Sequence, residues 1–247
     1  MRLVQITDLH VAHLEDDTNG VDVQANCIRI LKEAAALAPD KIIVTGDLCF
    51  SWPKLNLYEW IRPHIDALKI PYHIISGNHD QASFIAKAFD KEEELINGEY
   101  FYREDWGNWP VFFLDTTVGA VSKQQLLWLK NQLDQCSGPV LIFMHHPPML
   151  CGVPFMDKHH SLRNIADVQE ILYAYPGAIN IFSGHYHVDK VIRSKNIVQH
   201  ITPSCFVQID QKELDFKVDH HRIGLREISL RGEEILSTVY YWEGAKK

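Results

Sequence analysis

Residues 72–80 read Tyr72-His73-Ile74-Ile75-Ser76-Gly77-Asn78-His79-Asp80. The first residues are aromatic or β-branched, as a short strand requires, and a glycine then breaks the run just before Asn, His and Asp. Glycine allows the backbone to turn sharply where a strand ends, so the polar side chains that follow can point into a cleft. Working outward, the same arrangement recurs along the chain. Residues 3–7 run into Asp8-Leu9-His10, residues 41–45 into Gly46-Asp47, residues 140–144 into His145-His146-Pro147-Pro148, and residues 179–183 into Gly184-His185-Tyr186-His187. A sheet delivers residues at the ends of its strands to a shared edge, so the five segments together predict one site. Singly each is weak: an Asp-x-His triplet or a Gly-Asp turn occurs often by chance, while GNHD and GHxH are more specific.

Between these strands the apolar positions recur at helical spacing. Val23, Cys27, Ile30, Leu31, Ala34 and Leu37 fall on one side of a helix that Pro39 is expected to stop. Residues 55–68 behave similarly. Ser122 and Gln125 form a capping box ahead of Leu126, Leu129 and Leu133, and another helix is expected over 167–175. After Gly184 the pattern changes to strands alone, at 190–193, 197–201, 206–209, 224–230 and 234–241. The expected fold is α/β (a four-layer α+β sandwich): two packed mixed β-sheets flanked by helices, forming a single domain over 1–247 without internal repeats.

Apolar residues make up 46% of the 247 and charged residues 23%, which supplies a packed core and excludes disorder. The net charge of −8 argues against a nucleic-acid or anionic-membrane partner, since both reward clustered Lys and Arg. An anionic substrate must therefore be drawn in locally. Cys27, Cys49, Cys136, Cys151 and Cys205 are an odd, scattered set with no CxxC pair, which suggests neither a disulfide framework nor a thiolate zinc site and fits a reducing compartment. The first eight residues reach Asp8 before a signal peptide's apolar stretch is complete, and no apolar run approaches the roughly 20 residues of a membrane span. A soluble, cytoplasmic protein is expected.

Imidazole nitrogen and carboxylate oxygen suit borderline divalent ions such as Zn, Mn or Fe. Asp8, His10, Asp47, Asn78, His145, His185 and His187 are too many for one open tetrahedral ion but enough for two ions sharing a carboxylate. Two divalent ions and two aspartates leave about two positive charges, a local offset to the global deficit. A water between the ions would lose its proton near neutral pH and attack a phosphoryl group.

Taken in order, the motifs DxH, GD, GNHD, H and GHxH resemble those of the calcineurin-like metallophosphoesterase superfamily, over nearly the whole chain. Within it, Leu114-Asp115-Thr116, the HHPP turn followed by Asp157 and Ser161-Leu162-Arg163-Asn164, and Thr202-Pro203-Ser204 with Phe206 and Gln208 look like the bacterial class III cyclic-nucleotide phosphodiesterases. The resemblance implies that Asp8, His10, Asp47 and His187 hold one metal and Asp47, Asn78, His145 and His185 the other, with Asp47 bridging. It implies a substrate contact for Asn78, His79 and His187; His79, not itself a ligand, is expected to pair with Asp47 or to face the leaving oxygen, which makes it the candidate acid. The implied reaction is hydrolysis of a 3′,5′-cyclic nucleotide, cyclic AMP foremost, to the nucleoside 5′-monophosphate. The alternatives are a glycerophosphodiesterase or broad-specificity phosphodiesterase or phosphatase and, more remotely, a noncatalytic metal-binding scaffold, which would be expected to have lost ligands.

Other residues have plainer readings. His146 either touches substrate or metal or merely hydrogen-bonds near its turn, and is left out of the ligand set; Pro147 and Pro148 are expected to stiffen the turn. His13, His159 and His160 either approach a substrate from lid loops or are simply exposed, the latter being the default, and His200, His220 and His221 are expected at the surface. Asp115 either orients a ligand histidine or closes a turn. Trp52, Trp60, Trp106, Trp109 and Trp128 read as core or interface residues, whereas Phe155 and Phe206 are loop aromatics able to stack on a base. Residues 91–94 read as a solvated helix face. The expected partner is a small phosphodiester; a homodimer is left open, with the aromatics around Trp52 to Trp60 as the surface that would permit it.

Overall fold

The computed structural model describes residues 1–247. Strands β1 (Arg2–Ile6), β2 (Lys41–Thr45) and β3 (Tyr72–Ile75) run parallel, connected by α1 (Val23–Ala36) and α2 (Leu55–Asp66). After α3 (Ala82–Ala88), strands β4 (Tyr102–Trp106), β5 (Trp109–Leu114), β6 (Val140–Met144), β7 (Ile179–Ser183), β8 (Lys190–Ser194) and β9 (Ile197–Ile201) build a second sheet in the order β4-β5-β6-β7-β9-β8. Helices α4 (Lys123–Leu133), α5 (Pro154–His159) and α6 (Ile165–Ala174) belong to this half. A small ribbon, β10 (Gln208–Ile209) with β11 (Val218–His220), precedes the long hairpin of β12 (Arg222–Arg231) and β13 (Glu234–Glu243). That hairpin completes the first sheet as β13-β12-β1-β2-β3.

The period of two along each strand explains the layers. Val4, Ile6, Ile42 and Val44 face α1 and α2, while Leu3 and Ile43 face the other sheet. In β6, Ile142 and Met144 pack towards α4 and α6, and Leu141 and Phe143 turn inward. The result is helix, sheet, sheet, helix, as the patterning predicted.

Between the sheets an aromatic ladder crosses adjacent strands at matched register: Tyr102 on Phe113 (ring centroids 4.4 Å apart), Phe113 on Phe143 (5.4 Å), Phe143 on Phe182 (5.5 Å) and Phe182 on His200 (4.6 Å). Each buried ring of this size contributes about 1.5–3 kcal/mol by burial alone. His200, expected at the surface, is instead the last rung, 8% exposed, and burial lowers its pKa to about 3. A neutral imidazole replaces a fifth benzene ring there.

Several boundaries differ from the reading. Helix α1 ends three residues before Pro39, because Ala38 takes a left-handed conformation (φ 48°), and Leu37 is only partly buried. The capping box at α4 is half formed. Ser122 Oγ accepts from the Gln125 N–H at 3.1 Å, but the buried Gln125 amide reaches away to both backbone groups of Asp115. The strand expected over 206–209 shrinks to two residues, and β4 went unread because Arg103, Glu104 and Asp105 break its apolar pattern. Residues 92–94 form a single exposed 3₁₀ turn. Trp106 and Trp109 are buried in the core, whereas Trp52 is 79% exposed and is no core residue.

No helix is long and apolar enough to cross a membrane.

Candidate metal centre

Five loops leave the strand ends side by side. The loops after β1 and β2 stay hydrogen-bonded beyond the strands, Asp8 N–H to Gly46 O at 3.0 Å and His10 N–H to Asp47 O at 2.9 Å. Asp8 in turn accepts the His185 N–H on both carboxylate oxygens at 3.1–3.2 Å, which ties the last loop to the first. Asp80, buried beside the cluster, accepts from the backbone N–H groups of Gly77 (2.8 Å) and Leu48 (3.0 Å) and from the Tyr58 hydroxyl (3.0 Å). It clamps the β2 and β3 loops together. Burial, helped by the nearby Asp47, raises the Asp80 pKa to about 6.

Close approach dictates the glycines. A Cβ on Gly184 would stand 1.9 Å from Thr7 Oγ1 and 2.6 Å from Asp8 Oδ2, so only a bare backbone fits. Asp8, His10, Asp47, His185 and His187 all have positive φ, between 47° and 66°, and make up five of the eleven non-glycine residues in that region. Such conformations are costly and persist only where surrounding contacts over-determine them, a pattern that gathers at functional sites.

The loops bring six of the seven expected ligands into three overlapping groups: Asp8, His10 and His187; His10, Asp47 and His79; and Asp47, His145 and His185. His187 Nε2 lies 3.1 Å from His10 Nε2 and 3.3 Å from Asp8 Oδ1, and Asp47 Oδ2 lies 3.2 Å from His145 Nε2 and 3.8 Å from His10 Nε2. Asn78, the seventh, lines the same cleft with its side chain exposed.

The imidazoles are oriented from behind. His145 Nδ1 meets Thr45 O at 2.8 Å, His187 Nδ1 meets Val207 O at 2.9 Å, and His185 Nε2 meets His160 O at 2.8 Å. A carbonyl only accepts, so each of these nitrogens carries the proton and the opposite ring nitrogen faces the cluster, as metal-ligating histidines require. His145 Nε2 is fully buried and close to Asp47, yet makes no aligned hydrogen bond; it faces a common point rather than a single partner.

Burial opposes ionisation of Asp8 and Asp47, but His187 beside Asp8 and His145 beside Asp47 outweigh it and hold both carboxyls below the usual range. Burial likewise opposes a charged His145, which Asp47 and Asp8 overcome, raising its pKa to about 9. Burial keeps His10 neutral, at about 3, and His185 neutral as well. Without a metal, the His145 imidazolium supplies the positive charge that the two aspartates require.

Two-anion, multi-imidazole sets of this kind fit a pair of divalent ions, with one aspartate between them. A family model, the calcineurin-like phosphoesterases, matches residues 1–189. The chain belongs to this family. It is thereby a hydrolase of phosphate esters whose family uses a dinuclear divalent centre. A probable cyclic nucleotide phosphodiesterase of Fibrobacter succinogenes is 36% identical over 98% of the chain and 94% of its own length. A probable glycerophosphodiester phosphodiesterase of Arcobacter nitrofigilis is 28% identical over 86% of the chain and 82% of its own length. Among solved structures, a dimetal phosphatase from Danio rerio shares the fold, with a TM-score of 0.68 over 96% of this chain and 98% of its own at 15% identity.

His79 donates its backbone N–H to Asp47 Oδ1 at 2.8 Å, and its Nδ1 meets Ser51 O at 3.1 Å. Its Nε2 then turns to the cleft, 4.0 Å from Asp47 Oδ2. His146 follows the plainer of its two readings: Nδ1 bonds the Thr116 hydroxyl at 2.9 Å, and the ring lies against His185. Asp115 closes a turn, accepting from Tyr100 N–H and Thr117 N–H, and touches no histidine.

Against the cluster opens a cleft of about 330 Å³ walled by Phe50, Phe155, Phe206 and Phe216. Phe50 and Phe206 meet edge to face at 5.4 Å, and Phe155 and Phe216 pack at 5.6 Å. The sequence reading named Phe155 and Phe206 but missed Phe50, which follows Asp47 by three residues, and Phe216, which sits among charged residues in the turn between β10 and β11. Neither carries a local signal.

Proposed function

We propose that the protein is a phosphodiesterase that converts a 3′,5′-cyclic nucleotide, cyclic AMP foremost, to the nucleoside 5′-monophosphate. The observation that carries this reading is the phenylalanine-walled cleft joined to the cluster, which suits a planar base beside a phosphate. It also weighs against a glycerophosphodiester, whose small polar alcohol gains little from four phenyl rings. A scaffold role is disfavoured by the intact donor set.

Asp8, His10, Asp47 and His187 would hold one ion, and Asp47, Asn78, His145 and His185 the other. Bound there, divalent ions supply Lewis acidity to phosphoryl oxygens and acidify water at neutral pH. Iron, manganese and zinc all suit these donors. The chain's own residues do the rest. Asn78 and His187 border the phosphate, and the phenylalanines seat the base. Hydrolysis joins a water oxygen to phosphorus and breaks the opposite P–O3′ bond. O3′ departs as an alkoxide in need of a proton, and His79 Nε2, oriented through Ser51 O, delivers it. All five cysteines are free, which supports a reducing cytoplasmic setting.

The test is product chromatography on cyclic AMP, cyclic GMP, glycerophosphodiesters and phosphomonoesters, with metal content measured in the same sample. Release of 5′-AMP with two ions per chain is expected. A strong preference for monoesters would overturn the reading.

A further inference from the structure

A second cleft, about 290 Å³ in volume, adjoins the cluster. It shares Asn78, His160 and His185 with the phenylalanine-walled one, so the two meet at the candidate metal positions. The second is far more polar. Val118 is the only apolar side chain lining the second cleft, and the remainder includes His146, His159, Ser161 and Arg163.

Arg163 is held rather than loose. Its N–H donates to Gly119 O at 2.9 Å, and its guanidinium donates to Val118 O. Gly119 lies against it, a Cβ there falling 4.0 Å from the guanidinium carbon, at ordinary contact distance. Arg62, Arg103 and Arg226 all have carboxylate partners, but no carboxylate lies within ion-pair distance of Arg163. In a chain of net charge −8, a fixed and uncompensated guanidinium beside a catalytic centre keeps its attraction for an incoming anion. A cyclic mononucleotide has one phosphate and one base, and would leave this cleft without a role.

We propose that the second cleft is a phosphate subsite, in which Arg163 with His159 and Ser161 receives a second phosphate carried by the substrate. The enzyme then also cleaves linear nucleotide diesters that bear a terminal phosphate: the base lies among the phenylalanines, the scissile phosphate at the centre, and the terminal phosphate on Arg163. The cleavage has the same balance as before, water adding to phosphorus and the alkoxide leaving with a proton. This inference rests on the phosphodiesterase reading.

The test compares the metal-loaded enzyme on two diadenylates, one with and one without a 5′-terminal phosphate. The wild type is expected to favour the phosphorylated form in kcat/KM by about 10- to 100-fold, the worth of a charge-assisted bond to an anion. In Arg163→Gln that preference collapses towards one, and in Arg163→Lys part of it returns. Equal kcat/KM for both diadenylates in the wild type, or a preference that survives Arg163→Gln, would overturn the subsite. Bis(4-nitrophenyl) phosphate, which has no second anion, reports separately on the diesterase reading. Should no diester be cleaved, calorimetry with inorganic phosphate still decides: two phosphates per wild-type chain against one in Arg163→Gln supports the subsite, and equal stoichiometry refutes it.

Discussion

Asp47 Oδ2 stands 3.2 Å from His145 Nε2 on the buried floor of the cluster, while Asp47 Oδ1 accepts the His79 N–H at 2.8 Å. One carboxylate thus serves the cation-binding core with one oxygen and fixes the proposed acid with the other. Asp47→Asn keeps the shape and removes the charge. Metal affinity is expected to fall by more than the roughly 10–100-fold that even an outer-shell change produces, with activity lost alongside. Metal analysis after dialysis checks this; two retained ions would remove Asp47 from the bridging position.

Protonation of the metal-free protein should be legible in its stability. His145, raised to about 9, stabilises the fold fully below its unfolded pKa near 6.5, and that contribution disappears as pH rises towards 9. His10, depressed to about 3, acts in the opposite sense: its neutral form favours the fold above about 6.5, and stability falls as pH drops below that value. The thermal midpoint of metal-free protein is therefore expected to peak near pH 6.5 and to decline on both sides. A metal must displace the His145 proton, so calorimetry at pH 7 in buffers of different ionisation enthalpy should show proton release on binding. Absence of release would mean that His145 is neutral beforehand.

His79→Ala is expected to keep both ions and lose about 10²–10⁴-fold in kcat, as removal of a general acid does. The loss should be smaller for bis(4-nitrophenyl) phosphate, whose leaving group needs little protonation. A uniform loss accompanied by loss of an ion would reassign His79 to the ligand set.

Gly184→Ala sets a methyl group against Thr7 and Asp8, both immobile in the core. A destabilisation of about 1–3 kcal/mol or more is expected from overpacking, with reduced metal content, by chemical denaturation. Gly232→Ala, which meets nothing within 4 Å, bears only the strain of its positive φ and serves as the control.

The strand-end pattern disclosed the fold and the clustering of the donor side chains because both depend on short-range signals: β-branched runs, a glycine, and His, Asp or Asn directly after it. What escaped depends on distant partners. His200 looked like a surface residue because nothing nearby announces Phe182, which stacks on it from the adjacent strand. Gln125 looked like a cap because the reach of its amide to Asp115 is a tertiary fact. Phe50 and Phe216 meet the cluster from loops more than 160 positions apart, and Arg163 was read only as part of a subgroup motif.

The left-handed backbone at Asp8, His10, Asp47, His185 and His187 has an evolutionary consequence. At these positions glycine would relax the chain, so random variants screened only for heat resistance should drift towards replacing the very side chains that give the molecule its purpose. Robustness and usefulness pull this scaffold in opposite directions.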